Sequence, residues 1–292
     1  MKQMTKEELI EYFIKLLGNN HVLERYISIE EIRKRLNENI EKVTYENEEG
    51  NVNGHYNHKT KLINISLKTN DVENQMIIVH ELLHVLSFSL SENESDRISK
   101  VGFQIEKGND VKGLSINEGI TQLLTEEILG INVIGGYDFE KDFTRLMFGV
   151  FGKENVIDFY FSKATCYQDA SLEWDNFFGL NSSISNHGNK KSQRFLEAYN
   201  SLEQLSTMMY NAKGVLREDQ KRAYDQIRKN MYFSIDRWIS EVLKDLNSNC
   251  SREGYNRKKS ILEAIVQYKD IFRFGHDYRE IYRRIFAINI SN

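Results

Sequence analysis

His80-Glu81-Leu82-Leu83-His84 lies inside Asp71–Leu90, a run without proline or glycine, and its reading decides the fold. The spacing predicts a helix over that whole run. Ile78, Leu82, Val85 and Leu86 recur on one side, and Met76, Val79 and Leu83 flank the histidines. Asn70 stands at the N-cap position with Glu73 three residues on, the pattern of a capping box. Residues four apart on a helix share a face, so His80 and His84 can direct both imidazoles at one cation. A helix apolar over most of its circumference belongs in a core, and two histidines there need a partner. Glu81 is one step round the helix, close to such a cation but not aimed at it. That is where a base acting on an activated water has to sit.

Two histidines leave a tetrahedral zinc short of a third protein ligand, and Glu118 in Asn117-Glu118-Gly119 is the candidate to complete the set. A second helix is predicted from Ser115 to about Leu129, with Gly130 as its C-cap. Ser115-x-x-Glu118 is also a capping-box pattern, so Glu118 could serve only to hold the helix start. Gly119 speaks for the ligand role. Inside a helix a glycine costs about 1 kcal/mol relative to alanine, and it marks a close approach by another element.

Ahead of these helices the pattern predicts two short helices, Thr5–Leu17 and Ser28–Asn39, with Gly18 capping the first. Strand-like segments follow at Val43–Tyr45, Val52–His58 and Lys61–Leu67, the last two joined by a turn at Asn57–Thr60. Val101–Ile105 and Asp110–Leu114 frame Gly108-Asn109 as a second hairpin. Beyond Gly135-Gly136, read as a hinge, the chain is almost wholly helix-like, with long runs at Gln193–Tyr210 and Glu218–Leu246 and a polar loop at Asn181–Lys191. The aromatic run Phe139–Phe161 reads as the core of a helical lobe. Two domains are expected: 1–135, carrying the N-terminal helices, a small sheet and the metal-binding helices, and 136–292, a helical lobe completing a cleft.

Composition narrows the function class. The 292 residues are 40% hydrophobic and 28% charged, as in an ordinary soluble globular protein, and include no proline. Net charge is −4, with 15 Lys and Arg against 22 Asp and Glu in 1–135, so no nucleic-acid surface is expected. Cys166 and Cys250 form no C-x-x-C, which points to reduced thiols rather than a disulfide framework. No stretch approaches the roughly 18 apolar residues of a membrane span, and the first helix lacks the apolar run of a signal peptide. A cytoplasmic protein is expected; composition does not set the oligomeric state.

The arrangement resembles the gluzincin metallopeptidases, the thermolysin-like group in which H-E-x-x-H and a glutamate on a second helix bind zinc. His-Glu-Leu-Leu-His followed by Ile116-Asn117-Glu118-Gly119-Ile120-Thr121-Gln122 is similar to small bacterial peptidases with an N-E-G-[IL]-T signature. The resemblance spans about Gly54 to Leu129. Gly54-His55-Tyr56-Asn57 and Leu62-Ile63-Asn64-Ile65 fall where gluzincins place the edge strand of the cleft.

The resemblance implies an α+β, zincin-like fold with a small mixed sheet, two crossing active-site helices and a large C-terminal helical lobe. It implies a zinc metallopeptidase acting on an extended peptide or protein substrate. His80, His84 and Glu118 would be ligands and Glu81 the base on a zinc-activated water. The alternative is a catalytically idle zincin scaffold used for binding or regulation. Gln122 replaces the aspartate that would orient a ligand histidine, so the group buttressing His80 or His84 is left open. Leu90 and Phe88 stand where other H-E-x-x-H families carry a third histidine. An oxyanion donor outside the ligand set is required, and Tyr137 and His187 are the candidates. His21, His55, His58 and His276 are assigned to strands, loops and helix faces. The edge strand that would receive the peptide is placed at Lys61–Leu67.

Overall fold

The computed structural model describes residues 3–46, 54–90, 99–107, 110–133, 137–163, 173–178, 188–212 and 215–248, with four single positions between 252 and 261. The chain divides into two compact units. One comprises Met1–Lys141 with Ile157–Ser171, the other Asp142–Val156 with Leu172–Asn292. The first unit mixes helix and sheet. The described part of the second is helical. The first unit thus takes back a segment, Ile157–Ser171, from well beyond residue 135.

The first unit opens with α1 (Lys6–Asn20), whose N-cap Thr5 and Glu8 form a reciprocal capping box. Gly18 is not its C-cap. The helix runs on through it, and His21 takes the left-handed position at φ 54°. α2 (Ile29–Asn39) matches the expected helix, with Ser28 as its N-cap accepting from the Glu31 N–H. Leu9, Phe13, Leu17, Ile32 and Leu36 turn inward from these two helices and are fully buried.

β1 (Lys42–Glu46), β2 (Gly54–Asn57) and β3 (Leu62–Ser66) form a three-stranded sheet in the order β1-β3-β2. β3 pairs in parallel with β1 and antiparallel with β2. The sheet edge expected at Lys61–Leu67 is therefore its centre, because the chain brings β1 back alongside β3 and satisfies both of its rows of backbone groups. Leu62, Ile63, Ile65 and Leu67, which surround Asn64 and Ser66, suit the mostly buried strand that this central place requires. β2 has a partner on one side only among the described residues.

α3 (Asp71–Ser87) follows at once. Asn70 accepts from the Val72 N–H, and fully buried Asn74 exchanges two hydrogen bonds with the Lys68 backbone, at 2.7 and 2.9 Å. These bonds fix the angle at which the helix leaves β3. The helix ends three residues short of the expected Leu90. Phe88–Leu90 is a strand, β4, which pairs with β5 (Ser99–Val101). β6 (Gln104–Lys107) and β7 (Asp110–Lys112) complete a four-stranded antiparallel sheet, β4-β5-β6-β7. Val101–Ile105, expected as one strand, is itself a hairpin: Gly102-Phe103 is the turn, and Val101 pairs with Gln104. The Gly108-Asn109 turn and the Gly135-Gly136 hinge lie outside the described residues.

α4 (Leu114–Leu129) packs on α3. α5 (Asp138–Phe151) and α6 (Lys153–Phe161) come next. Fully buried Lys100 caps the end of α6, its Nζ 2.8 Å from the carbonyls of both Phe159 and Ser162. In the second unit α7 (Gly188–Asn211) packs along α8 (Glu218–Ser248). α7 begins inside what the sequence presents as a polar loop, Asn181–Lys191. The second unit's core is aromatic, as expected of this region: Phe143, Phe151, Phe178, Phe195 and Trp238 meet in stacked and edge-on pairs. No helix among the described residues is long and apolar enough to cross a membrane.

Candidate metal centre

From Ile77 to Ser87 every residue of α3 is buried, so His80, Glu81 and His84 are held in dry surroundings by the apolar residues between them. α4 brings the third group. Gly113, at φ 80°, is the N-cap of α4, and no side chain caps the helix. The Ser115–Glu118 capping box is therefore not formed, since Ser115 already lies inside the first turn. Glu118 is instead aimed at the histidines. Its Oε2 lies 3.2 Å from His80 Nε2 and its Oε1 3.4 Å from His84 Nε2, while the two Nε2 atoms are 3.1 Å apart.

Those three separations test whether a cation fits. Ligand atoms at about 2.0–2.1 Å from a tetrahedral zinc stand about 3.3 Å from one another. The observed edges bracket that value. His80, His84 and Glu118 form the one such group of three among the described residues, and they can hold a metal ion.

Asn117, one residue before Glu118, reaches His84 from behind. Its Nδ2 is 3.2 Å from His84 Nδ1, and its Oδ1 accepts from the Phe103 N–H at 3.2 Å. The donor and acceptor roles of the amide and the ring depend on the tautomer of His84. Gly102 lets the turn come this close. At φ 58° it is left-handed, and a Cβ there would stand 2.1 Å from Asn117 Oδ1 and 2.4 Å from the Tyr160 ring. Tyr160 is pinned in turn by a 2.8 Å hydrogen bond with Thr121. The buttress left open by the sequence is thus Asn117. Gln122, one turn further along the same face of α4, donates instead to Glu126.

Glu81 packs under β2. A Cβ on Gly54 would lie 2.9 Å from Glu81 Oε1, and the Tyr56 N–H donates to the Glu81 carboxylate. Burial raises the Glu81 carboxyl to about 7, against the opposing charge of His80. A carboxylate poised there exchanges protons readily near neutrality. Glu118 behaves oppositely. Burial acts to raise it, but His84 and His80 outweigh that and hold it well below the usual carboxylate range.

Tyr137 belongs to the site. Its ring stacks on His80, with centroids 5.7 Å apart and planes 11° from parallel, and its hydroxyl hydrogen-bonds Glu118. The charge of Glu118, the loss of water around the hydroxyl and the charge of Glu81 push the phenol well above its ordinary range, so it stays protonated. Its backbone is left-handed at φ 49°, a conformation that costs a non-glycine residue about 1–2 kcal/mol and persists where its surroundings enforce it.

His187 and His276 lie outside the described residues. His21 pairs with Glu24 at 2.8 Å. His58 sits between Ser99 and Glu106, at 3.1 and 3.2 Å, and ties the β2–β3 turn to the second sheet. His55, assigned from sequence to a strand, loop or helix face, is on a strand. Exposed on β2, it lies within electrostatic reach of His84 and Glu118, and water loss followed by the charge of His84 lowers its pKa. Nothing in its local pattern marks it, because the pairing of β2 with β3 is what brings it there.

No protein-family model, curated protein or solved structure matches this chain.

Proposed function

We propose that the chain is a zinc-dependent peptidase of the gluzincin type, with a zincin-like fold, and that it hydrolyses extended peptides. The observation that carries this reading is the triangle His80–His84–Glu118, with edges of 3.1, 3.2 and 3.4 Å, set beside a buried glutamate that does not belong to it. Zinc bound by these three residues would keep an open fourth position, polarise a carbonyl there and lower the pKa of a water to about 7.

The chain's own residues divide the remaining work. Glu81, with its pKa near 7, accepts a proton from the attacking water and hands it to the leaving nitrogen. The protonated Tyr137 hydroxyl, beside Glu118, donates to the negative charge that develops on the scissile carbonyl oxygen. Asn117 holds the His84 ring, as partners of metal-bound histidines do. β2, with one side unpaired among the described residues and Gly54 against Glu81, supports an extended peptide adding there as a further strand.

Elemental analysis tests the ligand set. The purified protein should carry one equivalent of zinc per chain, and His84→Ala should lose most of it. Undiminished metal in that variant would show that the assignment is wrong.

A further inference from the structure

Tyr137 is held in a left-handed backbone conformation against His80, so something must enforce it. We propose that the buried Lys141–Glu126 pair is the device that positions Tyr137 over the metal site. For the use to which Tyr137 is put, this rests on the function proposed above; the clamp itself does not.

The Lys141 side chain is only 2% exposed, and Glu126 only 7%. The ammonium has three protons and three acceptors in reach: Glu126 Oε1 at 3.0 Å, the Val133 carbonyl at 2.7 Å and Asp138 Oδ1 at 3.3 Å. The Lys141 N–H meanwhile donates to the Tyr137 carbonyl at 2.8 Å, the first helical bond of α5. One residue thus grips the chain on both sides of Tyr137, at Val133 and at Asp138, and fixes the Tyr137 backbone itself.

The spacing on α4 makes this a two-point attachment. Glu118, Gln122 and Glu126 recur every four residues and share a face. Tyr137 reaches Glu118 at one end of that face, Lys141 reaches Glu126 at the other, and Gln122 Nε2 donates to Glu126 Oε1 at 3.3 Å. A buried ion pair contributes little net stability compared with apolar residues of the same volume, and its best-attested use is to fix one arrangement over others. Here the arrangement fixed is the approach of the Tyr137 segment to the metal ligands.

The test uses the metal-free protein, so it is read without zinc or peptide. A failure of hydrolysis and a failure of the clamp are therefore separate results. With histidine-selective isotope labelling, the ring resonances of His80 report the stacked Tyr137, and Tyr137→Leu defines their positions without it. Lys141→Met with Glu126→Leu removes both charges at similar volume. The expected result is that His80 moves to the Tyr137→Leu positions while His21 and His58 stay in place. His80 remaining at its wild-type positions would overturn the proposal. Should the paired variant lose its fold, seen as displacement of His21 and His58 as well, Lys141→Arg is read instead by the same criterion. Displacement of His80 alone supports the clamp; an unmoved His80 overturns it.

Discussion

Gly102→Ala concentrates the logic of the site in one methyl group. A Cβ at this position would stand 2.1 Å from Asn117 Oδ1 and 2.4 and 2.6 Å from two carbons of the Tyr160 ring, where ordinary contact begins near 3.4 Å. Neither neighbour is a flexible end. Asn117 is held by Phe103 and His84, and Tyr160 by Thr121, so the turn or the amide must move by about 1 Å. The left-handed φ adds about 1–2 kcal/mol for an L residue, and overpacking adds about 1–3 kcal/mol. A total loss of about 2–5 kcal/mol is expected. In urea unfolding with a slope of about 2 kcal/mol per molar, the midpoint should fall by about 1–2.5 M. Asn117 displaced from His84 should also weaken zinc binding by about 10-fold or more in a chelator competition. A variant within about 0.5 kcal/mol of the parent that binds zinc equally well would refute the packing argument and the role given to Asn117.

Gly18→Ala is the natural control. A Cβ at Gly18 meets nothing within 4 Å and the residue is inside α1, so the substitution should stabilise by about 0.5–1 kcal/mol in the same urea assay. Glu31 sets an acid limit. Hydrogen bonds from Lys163 and Arg35 lower its carboxyl from 4.5 to about 2, so the stability it supplies is fully present above pH 4.5 and is lost as pH falls towards 2. Partial exposure reduces that contribution to about 1 kcal/mol. The melting temperatures of the parent and Glu31→Gln should therefore differ at pH 7 and converge near pH 2, and a gap independent of pH would contradict the pairing.

The helices that carry the site can be read from sequence because local signals coincide there. The period of apolar residues around His80 and His84, the N-cap at Asn70 and the left-handed glycine at 130 each act within a few residues of the helix turn they shape. What escapes is set by pairing between distant segments. β3 is central because Lys42–Glu46 returns beside it, a fact with no local trace except the mostly apolar run Leu62–Leu67, interrupted by Asn64 and Ser66. That run suits a mostly buried strand, and of the two segments expected near the edge it is Gly54–Asn57 that has a partner on one side only among the described residues. Phe88–Leu90 continues the apolar pattern of α3, yet pairing with Ser99–Val101 takes it into a strand. Gly102 in an apparent strand signals a turn or a close approach, and here it is both. Ser115 and Glu118 have the spacing of a cap, but Gly113 starts α4 first and frees Glu118 for the histidines.

Peptide hydrolysis by the zinc-loaded protein and by Glu81→Gln, compared at equal zinc content over a library of extended peptides, tests the central claim most directly. The substitution removes the base without touching His80, His84 or Glu118 and conserves the volume packed under Gly54. The account predicts cleavage by the parent, with turnover lower by about 10²–10⁴-fold in Glu81→Gln and zinc undiminished. Equal turnover in both proteins, or no cleaved peptide with the zinc-loaded parent, would contradict it.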